Sequence, residues 1–182
     1  GNLFAFGTES AEIDTSGWAP DVNAAVSRQV PAVSWSISNY LVGGHVLAVT
    51  ASGAGNASAV TVDRPTVTPG TDYLAYVYLN PPTLAADTWV ELRYYDSNGN
   101  QISAARSPLV QPSPGQGWYR QRASAVAPSN ATTCGIAVGI NGASGGQVLR
   151  LEGAVVTVAP ALQAGTILPY ADGSFEQGIA GW

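Results

Sequence analysis

Short segments in which apolar and polar residues alternate recur along most of the chain, and this pattern limits the possible folds more than any other feature. Alternation with a period of two is typical of a β-strand with one buried face. About ten short strands at this spacing indicate an antiparallel two-sheet sandwich or barrel. The pattern predicts strands at Leu3–Phe6, Ala25–Arg28, His45–Ser52, Ala59–Asp63, Tyr73–Asn80, Thr88–Tyr95, Gln101–Arg106, Trp118–Val126, Cys134–Ile140 and Val148–Val158.

Turn-forming residues separate these segments. The strongest local signal is Asp96-Ser97-Asn98-Gly99-Asn100, where Asn98-Gly99 offers the positive φ angles of a tight hairpin. One segment also fits a helix, because valines recur every four positions in residues 21–30. Branching at Cβ makes valine a poor helix former, so a strand is favoured there as well. The predicted fold class is therefore all-β.

Composition narrows the class of partner. Charged residues make up 10% of the chain, compared with about 25% in an average globular protein. Seven arginines and no lysines face 12 carboxylates, which gives a net charge of −5. This balance argues against a nucleic-acid partner and against a polybasic membrane-binding surface. No run approaches the roughly 20 apolar residues of a membrane-spanning helix.

The single cysteine limits redox and metal chemistry. Cys134 cannot form an intramolecular disulfide or a cysteine-based zinc site. It lies in an apolar run, which predicts a buried thiol without a chemical role.

A motif near the start of the chain recurs at its end. Four residues recur with the same spacing after 164 positions: Ser10, Glu12, Gly17 and Trp18 correspond to Ser174, Glu176, Gly181 and Trp182. The recurrence predicts one module over residues 1–164, followed in residues 165–182 by a linker and the start of a second copy. The alternative is a chance recurrence of a Glu-x5-Trp pattern.

The segment from Ser10 to Trp18 resembles the opening of bacterial carbohydrate-binding modules of the family 4/9/22 type. Four further segments resemble motifs of that family in the expected order: Gly43–Val49, Val67–Tyr73, Trp118 followed by Ala127-Pro128, and Leu151–Val155. The resemblance covers residues 3–158. It implies a two-sheet β-jelly roll of the galactose-binding-like kind, without catalytic machinery and with a polysaccharide as ligand.

The same resemblance implies a structural Ca²⁺ ion bound by Glu12, the Gly44 carbonyl and Glu152. Calcium prefers several hard oxygen ligands, and carboxylates and carbonyls provide them. Two departures count against the ion: Glu152 replaces the usual aspartate, and Gly153 replaces a second acidic residue. The alternative is that Glu12 only accepts hydrogen bonds in a turn. We expect Trp18 to close one end of the core.

Sugars are bound by aromatic rings beside carboxylates, amides and guanidinium groups that bond the hydroxyls. Such side chains alternate with the apolar positions of two predicted strands and extend to a third. The predicted ligand-binding residues are Tyr76, Tyr78, Trp89, Glu91, Arg93, Tyr95 and Arg120, on one shared surface that Arg122 extends. The alternative is a solvated sheet face on which Glu91 and Arg93 pair with neighbours. Trp35 and Tyr40 either line the rim of this surface or anchor a loop.

These observations predict a non-catalytic polysaccharide-binding module, one of a tandem array in a larger secreted, cell-surface or virion-surface protein of a bacterium or phage. Adjacent modules of the same polypeptide are the other expected partners. No enzyme is predicted, because a serine–histidine–aspartate arrangement would have to use His45, the only histidine, which lies at the start of an apolar strand. The alternative function is a structural or spacer module that contacts another protein chain.

Overall fold

The fold consists of ten strands and one short helix within the residues that the computed structural model describes, 1–30, 43–81, 86–112 and 117–160. The elements are α1 (Phe6–Glu9), β1 (Trp18–Val22), β2 (Ala24–Gln29), β3 (Val46–Ala51), β4 (Gly55–Thr61), β5 (Asp72–Asn80), β6 (Asp87–Tyr95), β7 (Gln101–Arg106), β8 (Tyr119–Val126), β9 (Thr133–Ala143) and β10 (Val148–Val158).

The strands form two five-stranded sheets that pack face to face. Sheet A has the order β1-β4-β9-β6-β7, and sheet B has the order β2-β3-β10-β5-β8. Every strand pairing in both sheets is antiparallel. The predicted all-β class and the two-sheet jelly roll are therefore confirmed.

Alternation along each strand directs one set of side chains into the space between the sheets. Val77 and Leu79 of sheet B and Val90 and Leu92 of sheet A have no exposed surface. Full burial of a side chain of this size stabilises the fold by about 1.5–3 kcal/mol. The polar residues between them face outward, so each sheet has an outer face on which functional side chains can be placed.

The first 30 residues differ most from the prediction. Leu3–Phe6 is not a strand: the Leu3 N–H donates to the Val156 carbonyl at 2.8 Å, and helix α1 begins at Phe6. Alternation over four residues is too short to distinguish a strand from other extended backbone. The sequence also failed to predict β1, which begins at Trp18. The strand interpretation of residues 21–30 is confirmed by β2.

The predicted hairpin between β6 and β7 is confirmed with a different backbone. The Asp96 carboxylate accepts hydrogen bonds from the Asn98 and Asn100 N–H groups, both at 2.9 Å. Only Gly99 of this turn has a positive φ, +81°, whereas Asn98 does not. Because the Asp96 side chain already satisfies the turn's donors, Asn98 keeps an ordinary conformation.

Two single-residue predictions are confirmed by burial. Trp18 belongs to the core cluster at 5% exposure, and its indole N–H donates to the Thr8 carbonyl at 2.9 Å. Cys134 is fully buried, and burial raises the pKa of its thiol to about 12. Within the described ranges, no helix is long and apolar enough to cross a membrane. The predicted second copy, in residues 165–182, lies outside the described residues.

Candidate functional site

The predicted ligand-binding residues lie on two surfaces of the molecule rather than one. Strand β6 belongs to sheet A and β5 to sheet B. Trp89, Glu91, Arg93 and Tyr95 therefore lie on the outer face of sheet A, and Tyr76, Tyr78 and Arg120 lie on the outer face of sheet B. The expectation of one shared surface is wrong because alternation determines which side chains face outward but not which sheet a strand joins.

On sheet A, opposite charges are paired with one another. Glu91 accepts hydrogen bonds from Arg93 Nε at 2.7 Å and from Arg106 Nε at 2.8 Å. A second bond from Arg93 reaches Asp21 Oδ2 at 3.0 Å. Burial alone would lower the pKa of Arg93, but its bonds to Asp21 and Glu91 outweigh burial and raise it. This arrangement matches the alternative in which Glu91 and Arg93 pair with neighbours.

The aromatic rings of sheet A are covered by guanidinium groups. The Arg106 guanidinium lies 3.7 Å from the Trp89 ring centroid, and that of Arg64 lies 4.3 Å from the Tyr95 centroid. The Trp89 ring packs so closely on Gly139 that a Cβ atom there would overlap it. Trp89 is 4% exposed and Tyr95 is 7% exposed. A sugar could stack on the outer side of either ring only after displacing an arginine.

On sheet B, the two tyrosines form a half-buried pair on the outer face. The Tyr76 and Tyr78 ring centroids are 6.1 Å apart, with the rings perpendicular. Across β8, Arg122 is opposite Tyr76 and Arg120 is opposite Tyr78. The Arg120 guanidinium lies 5.1 Å from the Tyr76 centroid, farther than either arginine–ring contact on sheet A. The pair therefore offers partly accessible ring surface beside two guanidinium groups.

Buried polar side chains lie beside the tyrosines on the same face. Across β10, Glu152 is opposite Tyr78 and Arg150 is opposite Asn80. Glu152 is 1% exposed, Asn80 5% and Arg150 9%. Arg150 Nε donates to Gln29 Oε1 at 3.0 Å, and burial lowers the pKa of Arg150 to about 10. Buried ionisable groups on an outward face are typical of a binding site.

The sequence analysis did not select Arg150, Asn80 or Gln29. Arg150 and Glu152 alternate with Leu149 and Leu151 in the last strand, and this pair of charges within an apolar strand was the available signal. Sequence alone did not show that β10 lies beside β5.

A β-bulge follows Glu152. Gly153 has a φ of +62°, and the pairing of β10 with β5 shifts between Glu152 and Val155. A bulge adds one residue to a strand and changes which side chains face outward. Here Ala154 is fully buried in the core, whereas Glu152 faces outward. The backbone at residue 153 favours glycine, which explains why no acidic residue stands there.

Glu12, predicted as a calcium ligand, stabilises a turn. Its Oε1 atom accepts hydrogen bonds from the Gly44 and His45 N–H groups, both at 2.8 Å, and Oε2 lies 3.2 Å from His45 Nδ1. Burial alone would raise the pKa of Glu12, but these bonds and the charge of His45 lower it.

This donor set fits the turn alternative better than a Ca²⁺ ion, because N–H groups occupy the oxygen that a cation would need. Among the residues described, no three histidine, cysteine, aspartate or glutamate side chains form a metal-binding group. Calcium at Glu12, Gly44 and Glu152 stays a prediction.

One more aromatic residue, Trp118, lies near this face. The predicted rim residues Trp35 and Tyr40 lie outside the described residues. Trp118 directly precedes β8, where Tyr119 is opposite Leu79, so it lies near the Asn80 end of the face. Trp118 is half-buried, and its buried indole N–H has no hydrogen-bond partner among the residues that the structure describes.

Comparison with solved structures gives matches for the fold. The C-terminal family 22 carbohydrate-binding module of Clostridium thermocellum Xyn10B is 20% identical, with a TM-score of 0.58 over 88% of this chain and 94% of that one. The chain has the fold of these modules. No protein-family model and no curated protein sequence matches it.

Other proteins share the same fold. A cyclase from Fischerella sp. TAU has a TM-score of 0.68 at 13% identity, over 88% of this chain and 98% of that one. The tailspike protein 4 of bacteriophage CBA120 has a TM-score of 0.62 at 13% identity, over 87% of this chain. This chain spans only 21% of that solved chain, the enzymatically active domain of the tailspike. The fold therefore occurs both in binding modules and in an enzyme, and function has to be argued from the site.

Proposed function

We propose that the protein is a non-catalytic polysaccharide-binding module that holds its ligand on the outer face of sheet B. One observation supports this most directly: the half-buried Tyr76–Tyr78 pair lies beside the buried residues Glu152, Asn80 and Arg150. Rings that contact C–H faces, next to a carboxylate, an amide and a guanidinium group that bond hydroxyls, are what sugar recognition requires.

The fold similarity suggests which polysaccharide to test first. Solved structures with this fold include xylan-binding domains of family 22, at 20% and 12% identity. Xylan is therefore the first candidate ligand. A tandem array, in which a second copy adds avidity, remains part of the proposal, as does an extracellular, cell-surface or virion-surface location.

Three described residues that could take part in catalysis are buried or already in contact with other side chains. Cys134 is fully buried, and burial keeps its thiol protonated. His45 is held against Glu12 at 3.2 Å in a turn. Both oxygens of the Glu91 carboxylate already accept hydrogen bonds from arginines, Oε1 from Arg93 and Oε2 from Arg106. These contacts support binding rather than reaction.

The test is electrophoresis through gels that contain xylan or another neutral polysaccharide. It compares the affinity of variants of the two outer faces. The double variant Tyr76→Ala/Tyr78→Ala removes the sheet B pair, and Tyr95→Ala is the matched aromatic control on sheet A. Circular dichroism verifies that both remain folded. We expect the double variant to lose at least about tenfold in affinity, equivalent to about 1.4 kcal/mol, and the control to bind like the parent.

Two results would overturn the proposal. Loss of binding in the Tyr95 variant alone would transfer the site to sheet A. Failure of the parent chain to bind any polysaccharide would favour a structural or spacer module.

A further inference from the structure

A cavity of about 390 Å³ lies along the β8 edge of sheet B, beyond the tyrosine pair. Leu74 of β5 lines it and faces outward with Tyr76 and Tyr78, because side chains two residues apart on a strand share a face. The volume is at the lower end of the range for cavities that enclose a small molecule. The rest of the lining includes Asp72, Pro108, Arg122, Ser124 and Pro160.

The cavity adjoins the tyrosine pair without being part of it. Arg122, in its wall, is the cross-strand partner of Tyr76, and Leu74 is the partner of Ser124. At about 3.4 Å of rise per residue, Leu74 lies about 7 Å along β5 from Tyr76 and about 14 Å from Tyr78. A sugar in the cavity is therefore next to a sugar that contacts Tyr76.

The polar groups of the proposed site indicate the direction in which a polysaccharide crosses the face. Glu152 of β10 is opposite Tyr78, and Tyr78 is opposite Arg120 of β8. A chain that lies across the strands at this level meets a carboxylate, an aromatic ring and a guanidinium group in turn. Asn80 and Arg150, both buried, lie on the side of this line away from the cavity. The cavity is thus beside the path of the chain, where a side branch can reach it.

The side chains in the cavity wall carry no net charge. Arg122 supplies one guanidinium group and Asp72 supplies one carboxylate. Arg106 also borders the cavity, but its guanidinium group stacks on Trp89 and bonds Glu91 on the outer face of sheet A. This balance favours a neutral ligand over an ion of either sign.

The remaining side chains suit a sugar ring. Leu74, Pro108 and Pro160 add apolar surface, and Ser124 adds an exposed hydroxyl group. A sugar has C–H faces that contact apolar surface and hydroxyl groups that bond to carboxylate, guanidinium and hydroxyl groups. We propose that the cavity binds a neutral single-sugar side branch, so that the module prefers a branched polysaccharide to its unbranched backbone. This inference rests on the proposed function, and the experiment below separates the two.

The experiment is isothermal titration calorimetry with defined oligosaccharides that share one backbone. The first pair is xylohexaose and the same hexasaccharide with one arabinose branch on an inner xylose. A second pair, cellohexaose and its xylose-branched form, covers a β-glucan backbone. We expect the parent chain to bind the branched member of one pair about tenfold more tightly. Because both members are neutral, this preference should be the same at about 0.1 M and about 1 M NaCl.

Variants that fill the cavity test the assignment directly. Leu74→Trp and Ser124→Trp each place an indole ring there from a different strand, and circular dichroism verifies that both remain folded. We expect each to bind the branched and unbranched members equally, and to bind the unbranched member like the parent. Val22→Trp is the matched control, because Val22 is an exposed residue of β1 in sheet A, and it should keep the preference.

Each failure has a distinct meaning. Equal binding of both members by the parent chain, or a preference that survives both substitutions in the cavity, would overturn the inference and leave the proposed function standing. Weaker binding of the unbranched member by folded Leu74→Trp would place the backbone itself in the cavity and overturn the branch assignment. Failure to bind either pair, or any polysaccharide in the gels, would overturn the proposed function.

Discussion

The outer faces of sheets A and B have similar side chains and use them differently. On sheet A, Glu91 is bonded to Arg93 and Arg106, and guanidinium groups cover both aromatic rings. On sheet B, the tyrosines contact each other and remain half-buried beside buried polar groups. The comparison teaches that aromatic rings on an outward face indicate a ligand site only where other side chains do not already cover them.

The largest effects are expected from two matched carboxylate variants, one of which should lose stability and the other binding. Glu91→Gln leaves Arg93 and Arg106 without their shared counter-ion, and we expect the free energy of unfolding to fall by about 3 kcal/mol. This is the lower end for a broken buried ion pair, because the Arg106 side chain is 43% exposed. Urea unfolding measures the loss.

The counterpart is Glu152→Gln, which should reduce polysaccharide affinity by at least about tenfold while Glu91→Gln leaves it unchanged. If the folded Glu91 variant lost binding instead, the assignment of roles to the two faces would be wrong.

A smaller effect is expected from pH on sheet A. Burial alone would raise the pKa of Asp21, but bonds from Arg93 and Ser58 lower it in the folded protein. A carboxyl group whose pKa is lowered by folding adds stability above its unfolded pKa and loses it as the pH falls through the folded value.

Between neutral and acidic pH, the free energy of unfolding should therefore fall less in Asp21→Asn than in the parent chain. The difference should be about 1 kcal/mol or less, because the Asp21–Arg93 ion pair is partly exposed. Thermal unfolding between neutral and acidic pH measures this, and identical profiles for parent and variant would contradict it.

The smallest expected effect concerns calcium near one edge of sheet B. Because N–H groups already bond the Glu12 carboxylate, we expect added Ca²⁺ or EDTA to leave the melting temperature nearly unchanged. A resident ion at about 100 times its dissociation constant would instead add about 2.7 kcal/mol. A rise in melting temperature with Ca²⁺ that Glu12→Gln abolishes would establish the metal site.

Much of the fold could be predicted from local pattern. β7 and β10 have the predicted limits, and the position of the β6–β7 hairpin is correct. β1 was missed because it reads Trp-Ala-Pro-Asp-Val, with little alternation and a proline in an edge strand. The site was harder to predict, since Tyr78 and Glu152 are 74 positions apart and meet only through the pairing of β5 with β10.

The sequence by itself determined which side chains face inward and which outward, because the period of two is a local property of extended backbone. It also determined the all-β class and the buried environment of Cys134. Only the tertiary structure decided that Tyr76 and Trp89 lie on opposite outer faces. Strand order depends on long-range pairing between segments, and no local pattern specifies it. For the same reason, only the fold shows which aromatic rings are covered by guanidinium groups and which keep accessible surface.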